Sequence, residues 1–467
     1  ARGSRGPEGG ARVSRPRAPA MGAADAGART ASPALRSSSS RGGAGGADAT
    51  RPGLGDADLP GFPADACPPE LPDLSRHHSV LAQVLREDPS LYRALRSRET
   101  ALGVGLARCI KTGMDNRGHR MVRSLGVVAG DEGCFEAFRE LFERVLHRGG
   151  AGRGAREAHP TDLGRHGSRL TEASADPSGR YVLSSCVRAS RNLSGFRFPP
   201  AMSRAERCDV ERLVALALVG GHGAAPGGEY LPLRGSRSYA PRPGGMKPEE
   251  EAALRGAGLL FEAPDSTVRL CSGGGRHWPE GRGVFASDDR SLTAWVNEQE
   301  HLRVASTRRG DALQAAFRDV VRTLDAVAEE LRRRGPAFSG RAYAHSRRFG
   351  FLTSSLANLG TAMHVGLTVR LPLLGRHQTG HWRGWCSAQG VQVRGASAGA
   401  GGLERPGLFE LSNRDRLGAS EVDTANLLVR VASRLVEMER RLELGLPIAA
   451  LASPRLAAGP GAPPARS

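Results

Sequence analysis

No aromatic residue occurs in the first 50 positions, which carry eight arginines against three acids. A stretch with so little apolar surface cannot offset the entropy of ordering its backbone. The composition predicts a disordered Arg/Gly/Ala/Ser-rich extension over residues 1–65, so folding must rest on the residues beyond it. From Pro72 to about His147, apolar residues recur at helical spacing. Leu81, Val84 and Leu85 share one face, followed by Leu91, Leu95, Phe135, Phe138, Leu141, Phe142 and Val145. The polar run Thr112–His119 is expected to form a loop between them. These boundaries predict a small helical domain over 66–150, a polar linker over 151–178, a larger domain over 179–451 and a flexible tail over 452–467.

The larger domain mixes signals. Leu292–Val296 and Val365–Leu371 have strand composition. Asp311 is placed to cap a helix carrying Leu313, Phe317, Val320, Val321, Leu324 and Val327. Ser420-Glu421-Val422-Asp423 resembles a capping box ahead of Leu427, Leu428, Val431, Leu435 and Met438. The Gly/Pro/Ala-rich stretches 221–249 and 387–407 are expected to be loops. Strands and helices without strict alternation indicate an α+β fold.

The net charge of +18 raises nucleic acid as a partner. Lysine occurs only at Lys111 and Lys247, however, and isoleucine only at Ile110 and Ile448. A coding bias toward Arg, Gly, Ala and Pro explains that pattern, so no nucleic-acid partner is expected. No run of about 18 apolar residues suggests a membrane-spanning helix. Seven cysteines without a CxxC pair argue against a disulfide scaffold or zinc ribbon, and no metal site is expected. Gly273-Gly274-Gly275 lacks the spacing of a dinucleotide loop and is followed by no Gly-Lys-Ser/Thr. Trp382 and Trp385 are read as packing or loop residues rather than a base-stacking surface.

A colinear set of motifs carries more information. The set begins with Pro72-Asp73-Leu74-Ser75, Ile110 to His119 and Val128-Ala129-Gly130-Asp131-Glu132. Tyr181 to Ser185, Phe198-Pro199-Pro200, Trp278-Pro279, Trp295 to Glu298 and His301-Leu302-Arg303-Val304 come next. Asn358-Leu359-Gly360-Thr361, Arg394-Gly395 and Ser412 to Gly418 complete it. Together they resemble the ATP:guanidino phosphotransferase (phosphagen kinase) family, and within it the creatine kinases. The resemblance implies a small all-α N-terminal domain, then a larger domain with an antiparallel sheet flanked by helices. It also implies a homodimer or larger oligomer, and a cytoplasmic location. A mitochondrial location is the alternative if residues 1–65 include a transit peptide.

The implied reaction is reversible transfer of the ATP γ-phosphoryl group to the guanidino nitrogen of creatine or another guanidino compound. Such transfer asks a protein for positioning and charge neutralisation, which arginine forks supply. The resemblance assigns Arg188, Arg303 and Arg394 to the phosphates, with Ser184 on the nucleotide strand and Glu410 nearby. Glu298 keeps the first substrate-facing carboxylate, and His119 and Leu125 belong to the substrate loop. ATP or ADP would carry Mg²⁺ held mainly by phosphates and water.

Other positions depart from the family. Cys186 and His364 stand in place of arginines, although a cationic His364 would restore part of the charge. Gln299 replaces the second carboxylate and Ser355 the reactive cysteine, with Leu356-Ala357 beside it. Ala286 and Thr368 replace two histidines, and the loop Ala396–Gly401 has lost its pattern. Losing one charge-stabilising donor typically costs about 10²–10³ in rate. Weakened catalysis is therefore expected, the alternative being a noncatalytic member that acts by nucleotide binding or oligomerisation.

Overall fold

A computed structural model describes residues 51–122, 124–150, 158–164, 170–171, 173–220, 227–334, 340–377, 381–397 and 404–448. Residues 1–50, 151–157 of the expected linker and the expected tail 452–467 lie outside the described residues.

The N-terminal region up to residue 150 is helical, as its periodicity indicates. Its helices are α1 (Val80–Glu87), α2 (Ser90–Leu95), α3 (Leu106–Asp115), α4 (Cys134–Ala137) and α5 (Arg139–Gly149). The Ser79 side chain caps α1 by accepting from the Ala82 amide at 3.2 Å. Leu81, Leu85, Leu95, Phe138, Leu141 and Val145 are fully buried in one core. The expected loop at Thr112 starts later, because α3 continues to Asp115. Lys111 and Asp115, one turn apart, pair at 2.7 Å on that last turn and hold it helical.

Residues 51–65 depart from the expected extension. Leu54 and Phe62 are buried, and Arg108 grips Asp58 with both guanidinium nitrogens at 2.7 and 2.9 Å. The Phe62 amide donates to Asp115 Oδ1, and Lys111 Nζ donates to the Phe62 carbonyl, both at 2.6 Å. The anchors lie about 50 residues downstream in sequence, so local composition carries no trace of them.

The larger domain runs β1 (Val182–Arg191), α6 (Arg204–Gly220), β2 (Gly228–Pro232), α7 (Pro248–Gly256), α8 (Thr267–Cys271), β3 (Gly283–Ser287), β4 (Leu292–Val296) and β5 (Leu302–Arg309). Then come α9 (Leu313–Arg334), β6 (His345–Ser346), β7 (Gly350–Phe351), β8 (Met363–Arg370), α10 (Pro372–Arg376), α11 (His381–Ala388), β9 (Val391–Ser397), β10 (Glu404–Asn413) and α12 (Glu421–Glu443). Eight strands form one sheet in the order β2-β3-β4-β5-β1-β8-β10-β9, antiparallel throughout. β2, β9 and the first residues of β10 lie in stretches expected to be loops, where strand pairing supplies the backbone hydrogen bonds that local composition does not advertise. Ser420 caps α12 through the Asp423 amide at 3.1 Å, as its sequence implies. Asp311 does not cap α9; its carboxylate instead accepts from Ser174 Oγ at 2.5 Å and the Asp176 amide at 3.0 Å. Trp382 is buried on α11, edge-on to Phe409. No described helix is long and apolar enough to cross a membrane.

The two domains meet at residues 349–359. Phe349, Leu352, Leu356 and Leu359 belong to the N-terminal core. The Ala129 amide donates to the Ser354 carbonyl at 2.8 Å, and Val128 bridges Ser355. Behind this seam sits Glu300, 2% exposed. Its carboxyl accepts from Asn192 Nδ2 at 2.6 Å, the Ser354 amide at 2.8 Å and Ser354 Oγ at 2.9 Å. Burial outweighs these donors and pushes the carboxyl up to about 7.

Two measurements check this anatomy. Lys111→Met leaves the Asp115 carboxylate, 8% exposed, without its cation. Breaking such a pair costs about 3–5 kcal/mol, to be read by urea unfolding. Glu300 binds its proton more tightly folded than unfolded, so its stabilising contribution is complete below the ordinary value of 4.5 and is lost as pH rises through about 7. Relative to Glu300→Gln, the wild-type chain therefore loses stability over that window in parallel melts.

Candidate functional site

Strand alternation sorts the side chains of the sheet onto two faces. Val187, Ala189, Val304, Val365, Leu367, Val369 and Leu411 are buried in the main core, which also contains apolar residues of α6, α9 and α12. Residues directly opposite across antiparallel strands share a face. In β1 and β8, Arg188 faces His364, Cys186 faces Gly366 and Ser184 faces Thr368. Ser190 of β1 pairs with Arg303 of β5, Thr368 with Glu410 of β10, and Glu410 with Arg394 of β9. One half-buried, polar face of five adjoining strands thus carries Ser184, Cys186, Arg188, Arg303, His364, Glu410 and Arg394.

The charges on this face act on one another. Arg188 Nη2 lies 3.2 Å from His364 Nδ1, an acceptor role open only to an unprotonated ring nitrogen. Burial, then Arg188, Arg416, Arg303 and Arg394, hold His364 well below the usual histidine range. Burial and the four guanidinium groups thus both disfavour the cationic form by which His364 would restore part of the missing charge. Arg416 is a member of the cluster that motif matching left unassigned. Burial, together with Arg188, Arg303 and Arg394, brings its guanidinium down to about 10, still charged at neutral pH. Its signal lay within the quoted run Ser412 to Gly418, read only as a tag of resemblance.

The Asn358-Leu359-Gly360-Thr361 turn positions Arg416. Gly360 has φ +104°, and a Cβ there would stand 2.0 Å from the Arg416 carbonyl oxygen. The Thr361 amide donates to that same oxygen at 2.9 Å. Only glycine permits so close a backbone approach.

The acceptor-side candidates lie where β4 turns into β5. Glu298 has a side chain only 7% exposed, 3.6 Å from Arg303 Nη1 and in contact with Arg269. The backbone amide of exposed Gln299 donates to Glu298 Oε2 at 2.8 Å. Ser355 is half-buried, its amide 3.5 Å from Glu300 Oε1. Cys186 Sγ accepts from Thr307 Oγ1 at 3.5 Å.

His119 and Leu125 make their contacts in the N-terminal domain. His119 is exposed, and its Nδ1 accepts from the Met121 amide at 3.1 Å. Leu125 packs against the N-terminal core, beside Gly149 at the end of α5. Of the loop after Arg394, residues 398–403 lie outside the described residues. Among the described residues, no group of three or more His, Cys, Asp or Glu side chains is placed to hold a metal.

Comparison with known proteins identifies the family. Residues 224–442 match the model of the ATP:guanido phosphotransferase C-terminal catalytic domain, and residues 75–147 that of its N-terminal domain. Creatine kinase M-type of Gallus gallus is 35% identical over 386 residues, covering 81% of this chain and 93% of that protein. Creatine kinase B-type of Gallus gallus is 35% identical over 379 residues, covering 80% and 92%. The crystal structure of lombricine kinase superposes with a TM-score of 0.72 at 31% identity, over 82% of this chain and 98% of that one. The duplicated taurocyamine kinase from Schistosoma mansoni, with bound transition state analog components, gives 0.66 at 26% identity, over 79% of this chain and 47% of that one. Matched in both domains and over most of its length, the chain belongs to the ATP:guanido phosphotransferase, or phosphagen kinase, family.

Proposed function

We propose that this chain binds Mg-ATP or Mg-ADP on its arginine face and transfers the γ-phosphoryl group to a guanidino compound, with creatine as the favoured acceptor and turnover well below that of an intact site. The convergence of Arg188, Arg303, Arg394 and Arg416 on His364 carries the reading. Like charges crowded on a half-buried face are costly by themselves, and the oxygens of a nucleotide polyphosphate relieve that cost. Ser184 and Glu410 flank the cluster and would complete the nucleotide side. Mg²⁺ would arrive on the nucleotide and help neutralise its phosphates. Creatine is suggested by the names of the curated relatives, while the structural neighbours are named for lombricine and taurocyamine.

The acceptor would sit beside Glu298 and Gln299, with its guanidinium toward their side chains. Glu298 would provide the negative charge and the proton acceptor. Gln299 offers a hydrogen bond but neither charge nor basicity. Ser355 offers a hydroxyl where a thiolate would add negative charge. Cys186 and neutral His364 together leave the transferring phosphoryl group short of two cations. Each missing donor is worth about 10²–10³ in rate, though such losses do not simply add.

Calorimetric titration with MgADP and a coupled assay of ATP formation from phosphocreatine test this reading. Arg188→Ala and Arg416→Ala should each weaken MgADP binding by about tenfold or more, the scale of one charge-assisted hydrogen bond to phosphate. Unchanged affinity in both variants would overturn the nucleotide site. Restoring Cys186→Arg, Gln299→Glu, Ser355→Cys and His364→Arg together should raise turnover by at least about 10²-fold. A wild-type chain that binds MgADP without turnover above background at high enzyme concentration is the noncatalytic alternative.

A further inference from the structure

Glu298, the one acid kept among the acceptor-side candidates, is already engaged by this chain's own cations. Arg269, on the short helix α8, donates from Nη2 to Glu298 Oε1. Arg303 Nη1 stands 3.6 Å from Oε2, which also accepts the Gln299 amide at 2.8 Å. One carboxylate thus meets two guanidinium groups and a backbone donor. An incoming guanidino compound offers the same fork that Arg269 already presents, so the two compete for one acceptor. The competitors differ in mobility. Arg303 sits in the middle of the sheet with its side chain 15% exposed, its guanidinium over the Trp295 ring at 5.1 Å from the centroid. The Arg269 side chain is 43% exposed, on a five-residue helix, and has water to retreat into.

We propose that Arg269 is a built-in guanidinium that occupies Glu298 in place of the acceptor substrate, so that guanidino compounds bind only when this pair opens. The inference rests on the reading of Glu298 as the acceptor-side carboxylate. A tethered competitor lowers the apparent affinity of a free one by the fraction of molecules in which the site is open. The chain would therefore discriminate against small guanidino compounds lacking other contacts. Acceptors with a carboxylate or phosphate tail would draw Arg269 away from Glu298 by offering it an anion of their own. Arg269 is thereby a specificity-determining residue for the acceptor, without contact to the transferred phosphoryl group.

The test is calorimetric titration of the full chain with methylguanidine, which carries the cationic fork and nothing else. Arg269→Leu and Arg269→Gln both remove the internal fork from an exposed position. Each variant should bind methylguanidine about tenfold or more tightly than wild type, the gain expected when an occupied site is opened. Adding Glu298→Gln to either variant should abolish that gain. Equal affinity in wild type and both variants, or a gain that survives Glu298→Gln, overturns the proposal. Parallel MgADP titrations judge the nucleotide site separately. Loss of MgADP binding in wild type would sink the phosphotransferase reading, while methylguanidine alone decides the role of Arg269.

Discussion

Mutual repulsion among Arg188, Arg303, Arg394 and Arg416 is the constraint that the rest of the larger domain must meet. Their influence on Arg416 and His364 places four guanidinium groups within electrostatic reach of one another. Nothing in such a cluster is self-stabilising. It is held by the opposite face of the same sheet, where Val187, Val304, Val365, Leu367 and Leu411 are buried in a continuous apolar core. Burial of that face is favoured in proportion to area, and strand register then fixes what points the other way. The charges are concentrated by a packing force with no polar preference of its own.

The departures from the family fall on this geometry unevenly. Cys186 and His364 occupy the same face as Arg188, one beside it along β1 and one opposite it on β8. Standing in place of arginines, they thin positive charge at the centre of the cluster, while Arg303, Arg394 and Arg416 ring it from neighbouring strands and the turn after β10. Gln299 removes one negative charge on the acceptor side. Beside it, the one remaining acid, Glu298, is engaged by arginines of the chain itself.

Much of this was legible in the sequence, for identifiable reasons. The cap at Ser420, the strands at 292–296 and 365–370, and the helical core around Leu81 and Phe138 rest on local pattern, and the structure has them. The shared face of Arg188, Arg303 and Arg394 was implied by motif identity. What escaped depends on distance through space. Arg416 joins the cluster through the turn at Gly360. Residues 51–65 are held by Arg108 and Lys111 of α3. The depressed basicity of His364 comes from burial and then from four arginines, all on segments other than its own, which no window along the chain contains. Arg269 gave no local sign of its partner, because α8 and Glu298 are brought together only by the fold.

The segment 353–361 is tied at both ends. Ser354 and Ser355 pair with Ala129 and Val128 of the N-terminal domain, and Thr361 hydrogen-bonds to the Arg416 carbonyl. One short segment thus spans the distance between a helical lobe and a cation of the arginine face. Because Thr361 bonds to the main chain of Arg416, the backbone seat of that arginine and the docking of the helical lobe are fixed by the same few residues.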